Sequence, residues 1–181
     1  MAKLVSSTYA DALFDLAIEN QKTDEWQAQI EGVQKILDEN PDFNKLMSHP
    51  RILKEEKLKL AEEAFEGNVD SEILGLIRII IEKDRYSEID AVFADFIKRV
   101  KDSNGIGVAN VSTAKELTET QKNAVEAKLL ETTDYKKMEM HYSIDESIIA
   151  GMIIRIGDRV VDSSVRSRLE GLKKQLLQTQ V

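Results

Sequence analysis

The chain has 181 residues, two histidines, no cysteine and a formal charge of −8 from 33 acidic and 25 basic side chains. Without cysteine there is no disulfide, no thiolate chemistry and no cysteine-based zinc or iron–sulfur site. An acidic chain repels phosphate backbones and anionic lipid headgroups, so nucleic acid is excluded as an expected partner.

The length accommodates one large domain or two small ones, and two is the reading adopted here. Charge is unevenly placed: residues 1–104 carry 22 acidic and 14 basic side chains, whereas residues 105–181 carry 11 of each. The longest strongly apolar run, Ile148 to Ile154, has seven residues, far short of the roughly twenty needed to cross a bilayer. The N-terminus has early Asp11 and Asp15 and no apolar stretch of the signal-peptide kind. A protein soluble in itself is expected, with no direct membrane insertion.

In the first half the periodicity is helical throughout. Tyr9, Leu13, Leu16 and Ala17 form one stripe and Ala10, Phe14 and Ile18 an adjoining one, a wide apolar face that suits two neighbours. Thr23 is placed to cap a second helix with Trp26, Ile30, Val33 and Leu37 inward, stopped by Asn40 and Pro41. A short segment around Phe43 to Met47 and a helix from about Leu53 to Phe65, closed by Gly67, follow. Asp70 or Ser71 then caps a fifth helix in which seven of the nine residues from Ile73 to Ile81 are large and apolar. A helix that is apolar all round is either central to a core or covered by something else, and the pattern alone leaves both open. The sixth helix turns Ile89, Val92, Phe93, Phe96, Ile97 and Val100 to one side and ends near Asp102.

Ser103 to Gly107 reads as a linker, after which the periodicity changes. Val108 to Val111 suits a short strand, and Thr118 with Gln121 forms a capping box for a helix to about Glu131. Met138, Met140, Tyr142 and Ile144 alternate with polar residues, as in a half-buried strand. Met152 to Ile156 is a second apolar strand ending in a Gly157, Asp158 turn, and Arg159 to Asp162 returns extended. A last helix begins at Ser163 or Ser164 and carries Val165, Leu169, Leu172 and Leu176 on one face. The fold class is therefore mainly α: an N-terminal six-helix bundle over residues 1–104, followed by a smaller α+β domain over residues 105–181.

The residues that resemble catalytic groups have plainer explanations. His49 precedes a proline and His141 lies on the polar side of a strand, which gives no zinc pattern. Ser163, Ser164, His141 and Asp145 contain the residue types of a nucleophilic triad but lack the flanking glycines of a nucleophile elbow, and helix capping accounts for both serines. Asp145, Glu146, Asp158 and Asp162 match no calcium loop. The competing enzyme reading requires a pocket lined by His141, Asp158 and Ser164. No catalytic residue, cofactor or metal is expected.

The string from Gly151 to Leu172, GMIIRIGDRVVDSSVRSRLEGL, resembles the C-terminal signature of the δ subunit of F-type ATP synthases, the family of the mitochondrial oligomycin-sensitivity-conferring protein. Ala150, Gly151, Gly157, Asp158, Asp162, Ser164, Val165, Arg166 and Leu169 carry it; Ser163 departs, standing where the family usually has glycine. Further matching blocks run from Tyr9 to Ala17 and from Leu76 to Ile89.

The resemblance implies a non-catalytic stator subunit, one copy per complex, at the cytoplasmic face of a bacterial plasma membrane. In that family the N-terminal bundle receives N-terminal helices of α subunits against its first and fifth helices. The C-terminal domain engages the C-termini of the b subunits. By this resemblance Tyr9, Leu13, Leu16, Leu76, Ile77 and Ile80 are expected in the α-subunit groove. Leu169, Leu172 and Leu176 are candidates for b-subunit contact, although their holding the domain's own sheet is the favoured expectation. The alternative is a free-standing helical adaptor with no ATP synthase role.

Overall fold

A computed structural model describes residues 2–179. It is mainly helical with one four-stranded sheet, and it divides into two compact units, one up to Val100 and one from Lys101. The division falls inside the last helix of the first half, slightly before the expected linker. Among the described residues no helix is long and apolar enough to cross a membrane.

The first unit is built from α1 (Ala2–Glu19), α2 (Thr23–Glu39), α3 (Pro41–Ser48), α4 (Lys54–Phe65), α5 (Ser71–Glu82) and most of α6 (Ile89–Ser103). Its core joins Ala10, Leu13 and Ala17 of α1 with Trp26, Ile30, Val33 and Leu37 of α2, and with the inner faces of α5 and α6. Trp26, Phe93 and Phe96 are the largest side chains removed from water there, and each such burial contributes about 1.5–3 kcal/mol. Phe14 meets Phe96 edge to face at 6.5 Å between ring centres. The α2 helix begins one residue earlier than a Thr23 cap requires: Lys22 occupies the capping position and gives no side-chain cap.

The start of α5 is tied to α2 by one carboxylate. Asp70 precedes the helix, but its side chain does not cap it. Instead its oxygens accept bonds from Lys22 Nζ at 2.6 Å, Trp26 Nε1 at 2.8 Å and Gln29 Nε2 at 3.1 Å, and its backbone N–H donates to Gln29 Oε1. These donors, Lys22 first, hold the Asp70 carboxyl down at about 2. A carboxyl lowered in the folded state stabilises fully above its ordinary value near 3.8 and loses that contribution as pH falls through about 2. We expect Asp70→Ala to cost about 2 kcal/mol at neutral pH, since the indole N–H of the buried Trp26 loses its acceptor. Urea titrations at pH 7 and pH 2 measure this, and the gap between variant and wild type should narrow at the lower pH.

The second unit holds β1 (Ile106–Thr113), α7 (Glu119–Thr132), β2 (Lys137–Ile144), β3 (Met152–Ile156), β4 (Arg159–Asp162) and α8 (Val165–Thr179). Sheet order is β2-β1-β3-β4. β1 and β2 run parallel, with Val111 beside Tyr142, joined by the α7 crossover. β3 runs antiparallel to β1, with Val111 beside Ile154, and β4 antiparallel to β3, with Ile154 beside Val161. The Thr118–Gln121 capping box opens α7 as its spacing requires. The core here is small: Ala109, Leu129 and Met138, with Val125, Tyr135, Met140, Ile154 and Ile156 against them.

The stretch expected to be a linker is structured. Gly105 O accepts from Lys136 N at 2.7 Å, and Ile106 begins β1. A Cβ on Gly107 would lie 2.6 Å from the Tyr135 ring and 2.7 Å from Met138 Sδ. Glycine stands there because another chain segment occupies the space of a side chain.

Candidate interaction surfaces

The segment from Ile148 to Arg166 is a bracket that positions α8. Ile148 is buried, and Ile149 turns the chain in a γ-turn at φ +71°, ψ −57°, closed by Ala150 N donating to Ile148 O at 2.9 Å. A β-branched residue there is strained, and Ile149 is exposed as well. Gly151 follows at φ +89°, where an added Cβ would sit 2.5 Å from the backbone oxygen of Ser163. The two strands of the bracket are locked together there: Ser163 N and Oγ both donate to Met152 O, and Val165 N donates to Ala150 O.

The start of α8 is then capped twice. Asp162 Oδ1 accepts from Ser164 N at 2.8 Å, and its other oxygen accepts from Ser167 Oγ at 2.5 Å. Ser164 Oγ accepts from Ser167 N at 3.2 Å. The hydroxyl of Ser167, followed by Ser164, lowers the Asp162 carboxyl from its ordinary value. Arg166 reaches Ser147 Oγ and Glu170 Oε1. Gly157 takes the turn at φ +56°, next to an exposed Asp158. Ser163, where the resembling pattern has glycine, is not among the residues of positive φ.

The residues of the candidate triad are each bonded to other partners. His141 faces Glu139 Oε1 at 2.9 Å, and Glu139 is also bonded by Lys101 Nζ at 2.6 Å. Ser163 and Ser164 serve as backbone partners, and Asp145 accepts from Ser147 N. Among the described residues no group of three His, Cys, Asp or Glu could hold a metal. A cavity of about 270 Å³ lies in the first unit, lined by Asn20, Lys22, Trp26, Asp70, Ser71 and Glu72, and none of the candidate triad residues borders it.

The expected groove residues separate into two groups. Leu13, Leu76, Ile77 and Ile80 are core residues of the first unit, so they do not line an open channel. Tyr9 is half-buried against that core. Leu16 alone of the six is open, at 42 % exposure; Ile18, on another side of the same helix, and Ile79 on α5, at 45 %, are open as well. α1 packs on α2 and α5, and α5 packs on α4 as well, so their buried faces are spent on the unit's own helices. Ile79 falls on the exposed side of α5 with Glu72, Arg78 and Glu82, and Ile80 on the buried one.

On α8 the result is the opposite. Leu169, Leu172 and Leu176 are 53 %, 56 % and 69 % exposed, and so do not hold the domain's own sheet. The unit's core is formed by α7 and the sheet, and α8 packs mainly on the turn after β2. These leucines leave an apolar stripe of α8 open to solvent.

The pattern of the family described as "ATP synthase delta (OSCP) subunit" matches residues 5–176. The chain is 48 % identical over 181 residues to ATP synthase subunit delta of Lachnoclostridium phytofermentans, spanning all of both chains. It is 32 % identical over 170 residues to the same subunit of Brevibacillus brevis, covering 94 % of this chain and 97 % of the other. Its fold is similar, at a TM-score of 0.77 and 20 % identity, to a chain of the Toxoplasma gondii mitochondrial ATP synthase hexamer, covering 95 % of this chain and 97 % of that one. With a match along nearly its whole length, this chain belongs to the ATP synthase delta (OSCP) subunit family.

Proposed function

We propose that the chain ties the catalytic head of an F-type ATP synthase to its peripheral stalk, with the first unit meeting α-subunit N-terminal helices and the second meeting the C-termini of b subunits. Its family role is that of a stator subunit without catalysis of its own. A stator transmits force and needs anchorage at two places instead of a reaction centre. In this reading the first unit is the six-helix bundle of residues 1–104, and the protein lies peripherally at the cytoplasmic face of a bacterial plasma membrane through its complex.

The observation that carries the reading is that each unit keeps large aliphatic side chains open to solvent: Leu16, Ile18 and Ile79 in one, and Leu169, Leu172 and Leu176 in the other. A partner helix laid on the row of α8 through anchors at i, i+3, i+4 and i+7 is a standard recognition mode. Burying three leucines supplies about 5–9 kcal/mol before association entropy is subtracted.

A capture assay tests it, with soluble b-subunit segments immobilised and α3β3 heads in solution. The double variant Leu16→Asp/Ile79→Asp should remain on the stalk segment yet retain heads at least tenfold less well. Leu172→Asp should release the chain from the stalk segment but still bind heads. Unchanged capture by both variants would assign these faces to neither partner. A free-standing adaptor would capture no heads at all.

A further inference from the structure

The open face of α8 has a regular spacing and a one-signed border. Val165, Leu169, Leu172 and Leu176 recur at intervals of four, three and four, the alternation of the a and d positions of a coiled-coil seam. With Leu169 and Leu176 at a, the bordering e positions are Arg166 and Lys173, and the bordering g positions are Arg168 and Gln175. No acidic residue borders the seam. The single acidic residue of the helix, Glu170, lies outside the border and pairs with Arg166 at 3.2 Å. Arg168 and Lys173 are therefore the border charges left to select a partner.

This pattern discriminates between occupants. Two parallel copies of α8 would place Arg168 of one opposite Lys173 of the other, and two antiparallel copies would align Arg166 with Lys173, so like charges oppose self-pairing either way. Apart from Leu177, which lies outside the border, the apolar residues of the helix keep to the a and d positions, a seam narrower than the broad apolar face of helices that lie in a membrane interface. A helix bordered by Asp or Glu satisfies both the seam and its charge.

We propose that α8 is one half of a heterotypic coiled coil, whose other half is a single amphipathic helix with acidic residues flanking its apolar seam. This deepens, and rests on, the reading that the second unit meets the C-termini of b subunits. It adds that the b segment is recognised by charge along the border as well as by its apolar row. Arg168 and Lys173 are the residues that set the match.

The test is calorimetric titration of the full chain with the soluble b segment encoded in the same genome, at low and at high salt. Arg168→Glu/Lys173→Glu should weaken binding at low salt by about tenfold or more, and the difference should shrink in 1 M salt. Arg168→Gln/Lys173→Gln should fall between that variant and wild type. All these side chains border an exposed face, and unchanged circular dichroism verifies that the fold is kept. If the charge variants bind as wild type while Leu172→Asp does not bind, the charge match is overturned and the stalk reading stands. If Leu172→Asp also binds as wild type, both fail. Sedimentation of the chain with phosphatidylglycerol vesicles, or a dimer in ultracentrifugation that Leu172→Asp dissolves, would overturn the proposal in favour of lipid or of a second copy.

Discussion

Ile77→Asp should unfold the helical unit, not merely spoil a docking surface. Ile77 has no exposed surface and sits among the α1, α2, α5 and α6 residues of the core. A carboxylate there has no cationic partner in an apolar interior, and such a charge is either neutralised or expelled with the structure around it. The expected cost is about 4–5 kcal/mol or more, comparable with the whole stability of a domain of this size. Trp26, buried in the same core, reports the loss as a red-shifted emission. Ile79→Asp, two residues along on the open side of the same helix, should change stability by no more than about 0.5 kcal/mol. Native emission from the Ile77 variant would mean that α5 is less enclosed than described.

Gly151→Ala is the second large effect. The residue lies at φ +89°, where a side chain is strained, and its Cβ would press on the backbone oxygen of Ser163, which cannot swing aside as a side-chain tip can. Relief requires the bracket to open and break the bonds from Ser163 to Met152 and from Val165 to Ala150 that fix the start of α8. We expect a loss of about 2–4 kcal/mol in the second unit, with weaker stalk binding although no contact residue has changed. Gly171→Ala is the control. Nothing lies within 4 Å of its added Cβ, and an alanine inside a helix should stabilise by about 0.5–1 kcal/mol. Hydrogen exchange at Ser163 and Val165 distinguishes the two substitutions.

Much of the fold is legible in local pattern, because periodicity and capping are short-range. The stripe Trp26, Ile30, Val33 and Leu37 is buried as its spacing requires, the Thr118–Gln121 box caps α7, and Gly157 turns the chain between β3 and β4. What local pattern misses is which neighbour covers a face. The run in α5 reads as apolar all round, which leaves core and groove both open; the structure buries Ile77 and Ile80 and turns Ile79 out on the same side as Glu72, Arg78 and Glu82. The leucines of α8 show a regular stripe, but nothing in the stripe says whether sheet or solvent lies against it. The Asp70 network joins residues 41 to 48 positions apart, and only the packing of α2 on the start of α5 creates it. The signature bracket is legible in sequence through the family resemblance, whereas its cause, the contact of Gly151 with Ser163, appears only in three dimensions.

The most direct measurement is retention of α3β3 heads on immobilised b segments in the presence of the unmodified chain. Heads should be held only when the chain is added, in equal molar amount to the heads, and released when the α-subunit N-termini are removed. Heads held equally well without the chain, or a chain that binds either component alone but never both together, would contradict a stator that joins them.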